Sequence, residues 1–151
     1  MWHGWADPLI MPQGSVDYYD QVVTTVGKGN VSEVQEFARL FMFPGVNHCG
    51  GGGPAMGYGT PLEILRRWVE QGIAPDKIIA SQTLANGKTR TRPACPHPQV
   101  AVYKGAGDTD DAASFECGEN SVRDNENAAW RGNERVFGVP FFRPNETGYP
   151  P

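Results

Sequence analysis

Apolar residues Val16, Tyr19, Val22, Val23 and Val26 fall three or four apart across residues 14–26, the spacing that gathers side chains on one face of a helix. Gly27 follows, and the helix is expected to end there. Lys28 to Gln35 is polar and reads as a loop. From Phe37 to Phe43 the chain is apolar at both parities except at Arg39, the pattern of a strand buried in a parallel sheet covered on both faces. Pro44-Gly45 stops it, and residues 50–59 form a Gly-rich loop. Three signals then converge: Thr60 as a helix cap, Pro61 at the first helical position and Glu63 three residues after the cap. Leu62, Leu65, Trp68 and Val69 mark one face of that helix, and Gly72 closes it. Ile78-Ile79-Ala80 is a short strand. Beyond it the pattern is irregular, with a helical turn expected over 110–115.

Helix, buried strand and helix between residues 14 and 72 make an α/β crossover. Ahead of them, Trp2-His3-Gly4-Trp5-Ala6-Asp7-Pro8 reads as the end of a strand entering a turn. The rest of that strand is expected upstream, so Met1 reads as an internal methionine or the start of a truncated gene model. The turn after Trp2 and the loop after Phe43 then leave the same C-terminal edge of a parallel sheet, where ligands and catalytic groups collect in open α/β folds.

Two residues at that edge carry chemistry, Asp7 and His48. Taken singly, an Asp before Pro is an ordinary turn residue, and a His in a Gly-rich loop has no required role. Their arrangement says more. In α/β-hydrolases the triad runs Ser, then Asp or Glu, then His along the chain, each on a loop after a strand. The interval from Asp7 to His48 holds one helix, one buried strand and their loops, as that order requires.

Composition narrows the field by exclusion. The chain has 151 residues, enough for one domain, and 19 Gly with 13 Pro make it loop-rich. A net charge of −4 with scattered Lys and Arg provides no basic stripe for nucleic acid. No apolar run approaches the roughly 20 residues that span a bilayer. Met1-Trp2-His3-Gly4 lacks the charged start and apolar core of a signal peptide. His3, His48 and Cys49 fit no common zinc spacing.

Four blocks together resemble the tannase and feruloyl esterase family. His3-Gly4-Trp5-Ala6-Asp7-Pro8 with Gly14-Ser15-Val16-Asp17-Tyr18-Tyr19 is similar to its acid loop and following helix. Residues 37–52, ending in Val46-Asn47-His48-Cys49-Gly50-Gly51-Gly52, resemble its histidine motif. Arg90-Thr91-Arg92-Pro93 with Cys95-Pro96, then Gln99-Val100-Ala101, Tyr103-Lys104-Gly105 and Asp110-Asp111-Ala112-Ala113, resemble its closing segment. The resemblance implies the C-terminal part of an α/β-hydrolase fold over residues 1–117, with an irregular, disulfide-closed end and a polar extension over 118–151.

What it implies chemically is a serine esterase that cleaves esters of aromatic acids through an acyl-enzyme. Asp7 would be the acid and His48 the general base. Cys95 and Cys117 would pair, and Cys49 would bridge to a cysteine immediately before the catalytic Ser. Family members are secreted, and a lid upstream often carries a structural calcium; no cofactor is expected in this segment itself. The departures are equally plain. No Gly-x-Ser-x-Gly occurs in the sequence, and none of Ser15, Ser32, Ser81, Ser114 and Ser121 sits between glycines after an apolar strand. The expected partners are therefore an aromatic-acid ester substrate and an N-terminal half bearing the serine. The alternatives stay open here: a non-enzymatic module for binding or structure, and three reduced thiols in place of a bridge.

Overall fold

The computed structural model describes residues 1–57 and 59–119. Strand β1 (Trp2–Gly4) lies parallel to β2 (Phe41–Phe43), with Trp2 opposite Phe41, His3 opposite Met42 and Gly4 opposite Phe43. Helices α1 (Pro12–Thr25) and α2 (Val31–Gln35) connect them, which makes the expected crossover. α1 starts at Pro12, where a missing N–H costs nothing because first-turn amides have no helical acceptor. It ends near Gly27, where a Cβ would meet the Val34 side chain at 2.6 Å and the Asn30 carbonyl oxygen at 2.7 Å. Val16 and Tyr19 are buried on its inner face, and the Tyr19 hydroxyl donates to the Ala38 carbonyl at 3.0 Å.

Two expectations in this crossover are corrected. The polar stretch 28–35 contains α2, capped by Asn30, whose side chain accepts the Ser32 amide at 3.0 Å. The apolar run 37–43 is a strand only from Phe41. The Phe37 and Ala38 amides both donate to Val34 O, at 3.1 and 2.8 Å, which draws the backbone into the end of α2. Phe37 is 59% exposed, whereas Leu40 is buried among Val16, Tyr19 and Val34. Leu40 is therefore apolar because α1 and α2 cover it. β2 itself is covered on both faces as expected, Phe41 and Phe43 facing the core with Ile78, Ala80 and Ala94 and Met42 facing the helices.

Helix α3 (Thr60–Gln71) begins one residue earlier than expected. Gly59, at φ 86°, occupies the cap position and Thr60 is in the first turn. It closes as expected at Gly72, whose φ of 69° favours glycine. On the face marked by Leu62, Leu65, Trp68 and Val69, the side chains of Leu62, Leu65 and Val69 are exposed among the described residues.

The region after residue 78 is more regular than its sequence pattern. β3 (Ile78–Thr83) pairs antiparallel with β4 (Thr89–Ala94), and β5 (Val100–Tyr103) with β6 (Phe115–Gly118). The turn between β3 and β4 is closed by the Leu84 amide to Lys88 O at 2.8 Å and the Lys88 amide to the Asn86 side chain at 3.0 Å. Thr89, Arg90, Thr91 and Arg92 supply no apolar alternation, so backbone pairing rather than a hydrophobic face organises β4. A 3₁₀ turn at Ala112–Ser114 occupies the expected helical turn. Phe41, Phe43 and Val46 pack with Ile78, Ala80 and Ala94, so the histidine-side strand and the β3–β4 hairpin share one core. Cys95 and Cys117 form a disulfide with Cα atoms 5.6 Å apart, tying the end of β4 to β6. Of the polar extension expected over 118–151, all beyond residue 119 lies outside the described residues.

Candidate active site

Backbone contacts fix the acid turn against the histidine loop before any side chain is considered. After β1, the Trp5 amide donates to Phe43 O at 2.9 Å and the Ala6 amide to Val46 O at 3.0 Å. The Asp7 amide turns back to Gly4 O at 3.2 Å. Only glycine fits at position 4, because a Cβ there would collide with the carbonyl oxygens of Val46 and Asn47. On the other side, residues 45–53 fold back on themselves. The Gly53 amide donates to Gly45 O at 2.8 Å and the Asn47 amide to Gly51 O at 3.2 Å, with Val46 buried as the anchor. Gly51 and Gly52 take φ values of 75° and 78°, so the glycine run is what lets this loop close. His48 sits within the closed loop, facing Asp7.

The structure brings Asp7 and His48 together. His48 Nδ1 lies 2.8 Å from Asp7 Oδ2, and the Asp7 side chain is 1% exposed against 38% for His48. Asp7 Oδ1 accepts the amides of Leu9 and Ile10 at 2.8 and 3.0 Å, in the turn started by the Asp-Pro pair. Asp7 Oδ2 has a second partner, His3 Nε2 at 2.9 Å, and His3 Nδ1 lies 2.7 Å from the Ser15 hydroxyl in the first turn of α1. Burial works against ionisation of Asp7, but the Ile10 and Leu9 amides and the His48 and His3 rings outweigh it, holding the carboxyl well below the usual carboxylate range. An ionised Asp7 only accepts hydrogen bonds, so both ring nitrogens facing it carry protons. His48 is therefore the Nδ1–H tautomer when neutral, which leaves its Nε2 lone pair free. That nitrogen makes no hydrogen bond to the described residues, and the ring is accessible at this point.

A folded-state carboxyl held below its unfolded value contributes stability above the ordinary carboxylate range and loses it as pH falls. Chemical unfolding followed from neutral pH downward should show stability falling once pH drops below about 4. The Asp7→Asn variant, which has no charge to titrate at this point, should show a shallower fall. Equal slopes would mean that Asp7 is not held in its ionised form by these four donors.

Sequence reasoning missed His3 and Ser15. The available signal was the spacing: His3 lies four residues before Asp7 across a tight turn, and Ser15 lies in the first turn of the helix after it. Cys49 is exposed and has no disulfide partner among the described residues. No group of three or more His, Cys, Asp or Glu is placed to hold a metal ion among the described residues. None of the described helices is long and apolar enough to cross a membrane.

This geometry has relatives. The family described as tannase and feruloyl esterase matches residues 1–118. A "Probable feruloyl esterase" of Arthroderma benhamiae is 47% identical over 126 residues, covering 79% of this chain and 22% of its own length. The mono(2-hydroxyethyl) terephthalate hydrolase of Piscinibacter sakaiensis is 39% identical over 120 residues, covering 78% of this chain and 19% of its own length. Among solved structures, an esterase from Aspergillus oryzae aligns with a TM-score of 0.69 at 32% identity, over 78% of this chain and 26% of that one. Feruloyl esterase B from Aspergillus oryzae gives the same TM-score and coverage at 29% identity. The chain thus spans about a quarter or less of the length of the relatives it matches. From the acid turn to the closing disulfide, this chain belongs to the tannase and feruloyl esterase family.

Proposed function

We propose that the chain carries the acid and base of a serine-type carboxylic ester hydrolase acting on esters of aromatic acids. The observation that carries this reading is the 2.8 Å contact between Asp7 Oδ2 and His48 Nδ1, with His48 Nε2 unbonded among the described residues and the side chain partly exposed. Several relatives named as esterases or feruloyl esterases support the substrate class.

In this reading, His48 Nε2 accepts the serine hydroxyl proton as the serine oxygen attacks the ester carbonyl. The resulting imidazolium is stabilised by the buried Asp7 carboxylate, which also keeps the proton on Nδ1 of the neutral ring. Collapse of the tetrahedral intermediate breaks the bond to the alcohol, and His48 returns its proton to that leaving oxygen. The same ring then takes a proton from water as its oxygen attacks the acyl-enzyme, and gives that proton to the serine oxygen as its bond to the acyl group breaks and the acid leaves. The serine is supplied by sequence other than these residues. Cys49, exposed beside His48, is the point where a second disulfide would tie the base loop to the nucleophile loop. Together with the Cys95–Cys117 bridge, this suits an oxidising, extracellular setting.

The 151-residue chain alone should therefore hydrolyse neither p-nitrophenyl esters nor methyl ferulate above background, because no acyl-enzyme can form. Turnover of order 1 per second by the purified chain would overturn the reading. So would gene sequence upstream of Met1 that encodes no strand followed by Gly-x-Cys-Ser-x-Gly in frame.

A further inference from the structure

Asp7 Oδ2 is shared, and the second claimant is a histidine that the acid–base chemistry does not use. His3 is buried at 9% exposure, in the middle of β1, and both of its ring nitrogens are engaged. Nε2 points to Asp7 Oδ2 at 2.9 Å and Nδ1 to the Ser15 hydroxyl at 2.7 Å. A ring held at both ends has no freedom to turn, and the strand fixes its backbone against β2. We propose that His3 is a positioning residue of the acid: its Nε2–H holds Asp7 Oδ2 in register with His48 and moderates the charge that oxygen offers to His48 Nδ1–H.

The chemistry follows from donor counting. Four N–H groups converge on the carboxylate, two amides at Oδ1 and two imidazole N–H groups at Oδ2. The amides belong to the turn of Asp7 itself and set the carboxylate's place along the chain. Rotation about Cβ–Cγ, which decides whether Oδ2 meets His48, is restrained by His3. Two donors on one oxygen also compete for its electron density, so each bond is weaker than it would be alone. Ser15 selects the tautomer: by donating its hydroxyl proton to Nδ1, it keeps the His3 proton on Nε2. Without that donation the ring could carry its proton on Nδ1 and turn a lone pair toward the carboxylate, a repulsive contact. The first turn of α1 thus reaches the acid through a chain from Ser15 to His3 to Asp7. The ionisable groups joined to His3 are Asp7 and, through it, His48, while β2 brings Met42 alongside and α1 brings neutral Ser15.

The importance of this for catalysis rests on the esterase reading, but its test reads ring protons and needs no turnover. The probe is the 151-residue chain labelled with ¹⁵N at histidine, observed by NMR at neutral pH. His3 should appear as the Nε2–H tautomer and His48 as the Nδ1–H tautomer. In His3→Phe the His48 Nδ1–H resonance should move to lower field, because its bond to Oδ2 loses a competitor. His3→Gln, whose amide can place an N–H near the lost Nε2, should return it most of the way. Ser15→Ala removes one half-buried hydroxyl and leaves the core intact; it should give a mixture of His3 tautomers and a smaller shift of the same sign. If His3→Phe fails to fold by circular dichroism, the native His3 tautomer and the Ser15→Ala shift decide the matter. A native Nδ1–H tautomer at His3, or a His48 resonance indifferent to both substitutions while Asp7→Asn moves it, would overturn the proposal. Failure of the esterase reading would leave all of these shifts in place, so the two outcomes are distinguishable.

Discussion

His48→Ala should lower kcat by about 10³-fold or more, with KM little changed, in a chimera that turns over methyl ferulate. The chimera joins residues 1–118 of this chain to the remainder of the Arthroderma benhamiae relative, replacing that protein's matching segment. The size of the effect follows from what His48 Nε2 does. It handles the proton in both acylation and deacylation, and no other described group offers an unbonded base beside Asp7. Asp7→Asn should cost a similar factor for a different reason. The neutral amide cannot stabilise the imidazolium, and its NH₂ would meet the two N–H donors that converge on whichever oxygen it replaces. In this reading both residues act on the proton at the reacting atoms rather than on the acid or alcohol portion, so KM should stay within a few-fold. A chimera that keeps most of its kcat after His48→Ala would remove His48 from the chemistry.

Cys95→Ser should destabilise the chain by about 3 kcal/mol, the chain-entropy value for a bridge closing 22 residues. For a unit of this size that corresponds to a melting temperature lower by roughly 10 °C. The bridge joins β4 to β6, and β4 carries Ala94 into the core shared with Phe41 and Phe43, so its loss reaches the strand that leads into the histidine loop. Iodoacetamide without reductant checks the same assignment. The native chain should take a single adduct, at Cys49, and Cys95→Ser should take adducts at both Cys49 and Cys117. A native adduct on Cys95 or Cys117 in place of Cys49 would mean that the bridge forms differently in solution.

Much of the site could be read before any coordinates. Asp7 and His48 were legible because their loops follow strands in the chain order of an α/β-hydrolase triad, with a Gly-rich loop around His48. What Gly4, Gly51 and Gly52 do for the backbone there came from the structure. Helix α1 was legible because apolar periodicity is a local property of the chain. The β3–β4 and β5–β6 hairpins were not, since Thr89 to Arg92 pair through their backbone and that pairing leaves no apolar alternation to detect. The first half of the run from Phe37 to Phe43 misled for a related reason. An apolar side chain records that it is buried, not whether a sheet or a pair of helices buries it, and Leu40 is covered by α1 and α2.

By itself, then, the sequence determined the βαβ crossover, the pairing of Asp7 with His48 and the family, because each is written in short-range spacing or in motifs. Tertiary structure alone decided that Asp7 Oδ2 serves two histidines at once. His3 and His48 approach it from opposite ends of the crossover, and the parallel pairing of β1 with β2 is what brings those ends together. No local pattern encodes that meeting, because it depends on which strands become neighbours and in what register. A one-residue slip in that pairing would turn His3 to the other face of β1 and leave Asp7 with a single imidazole partner.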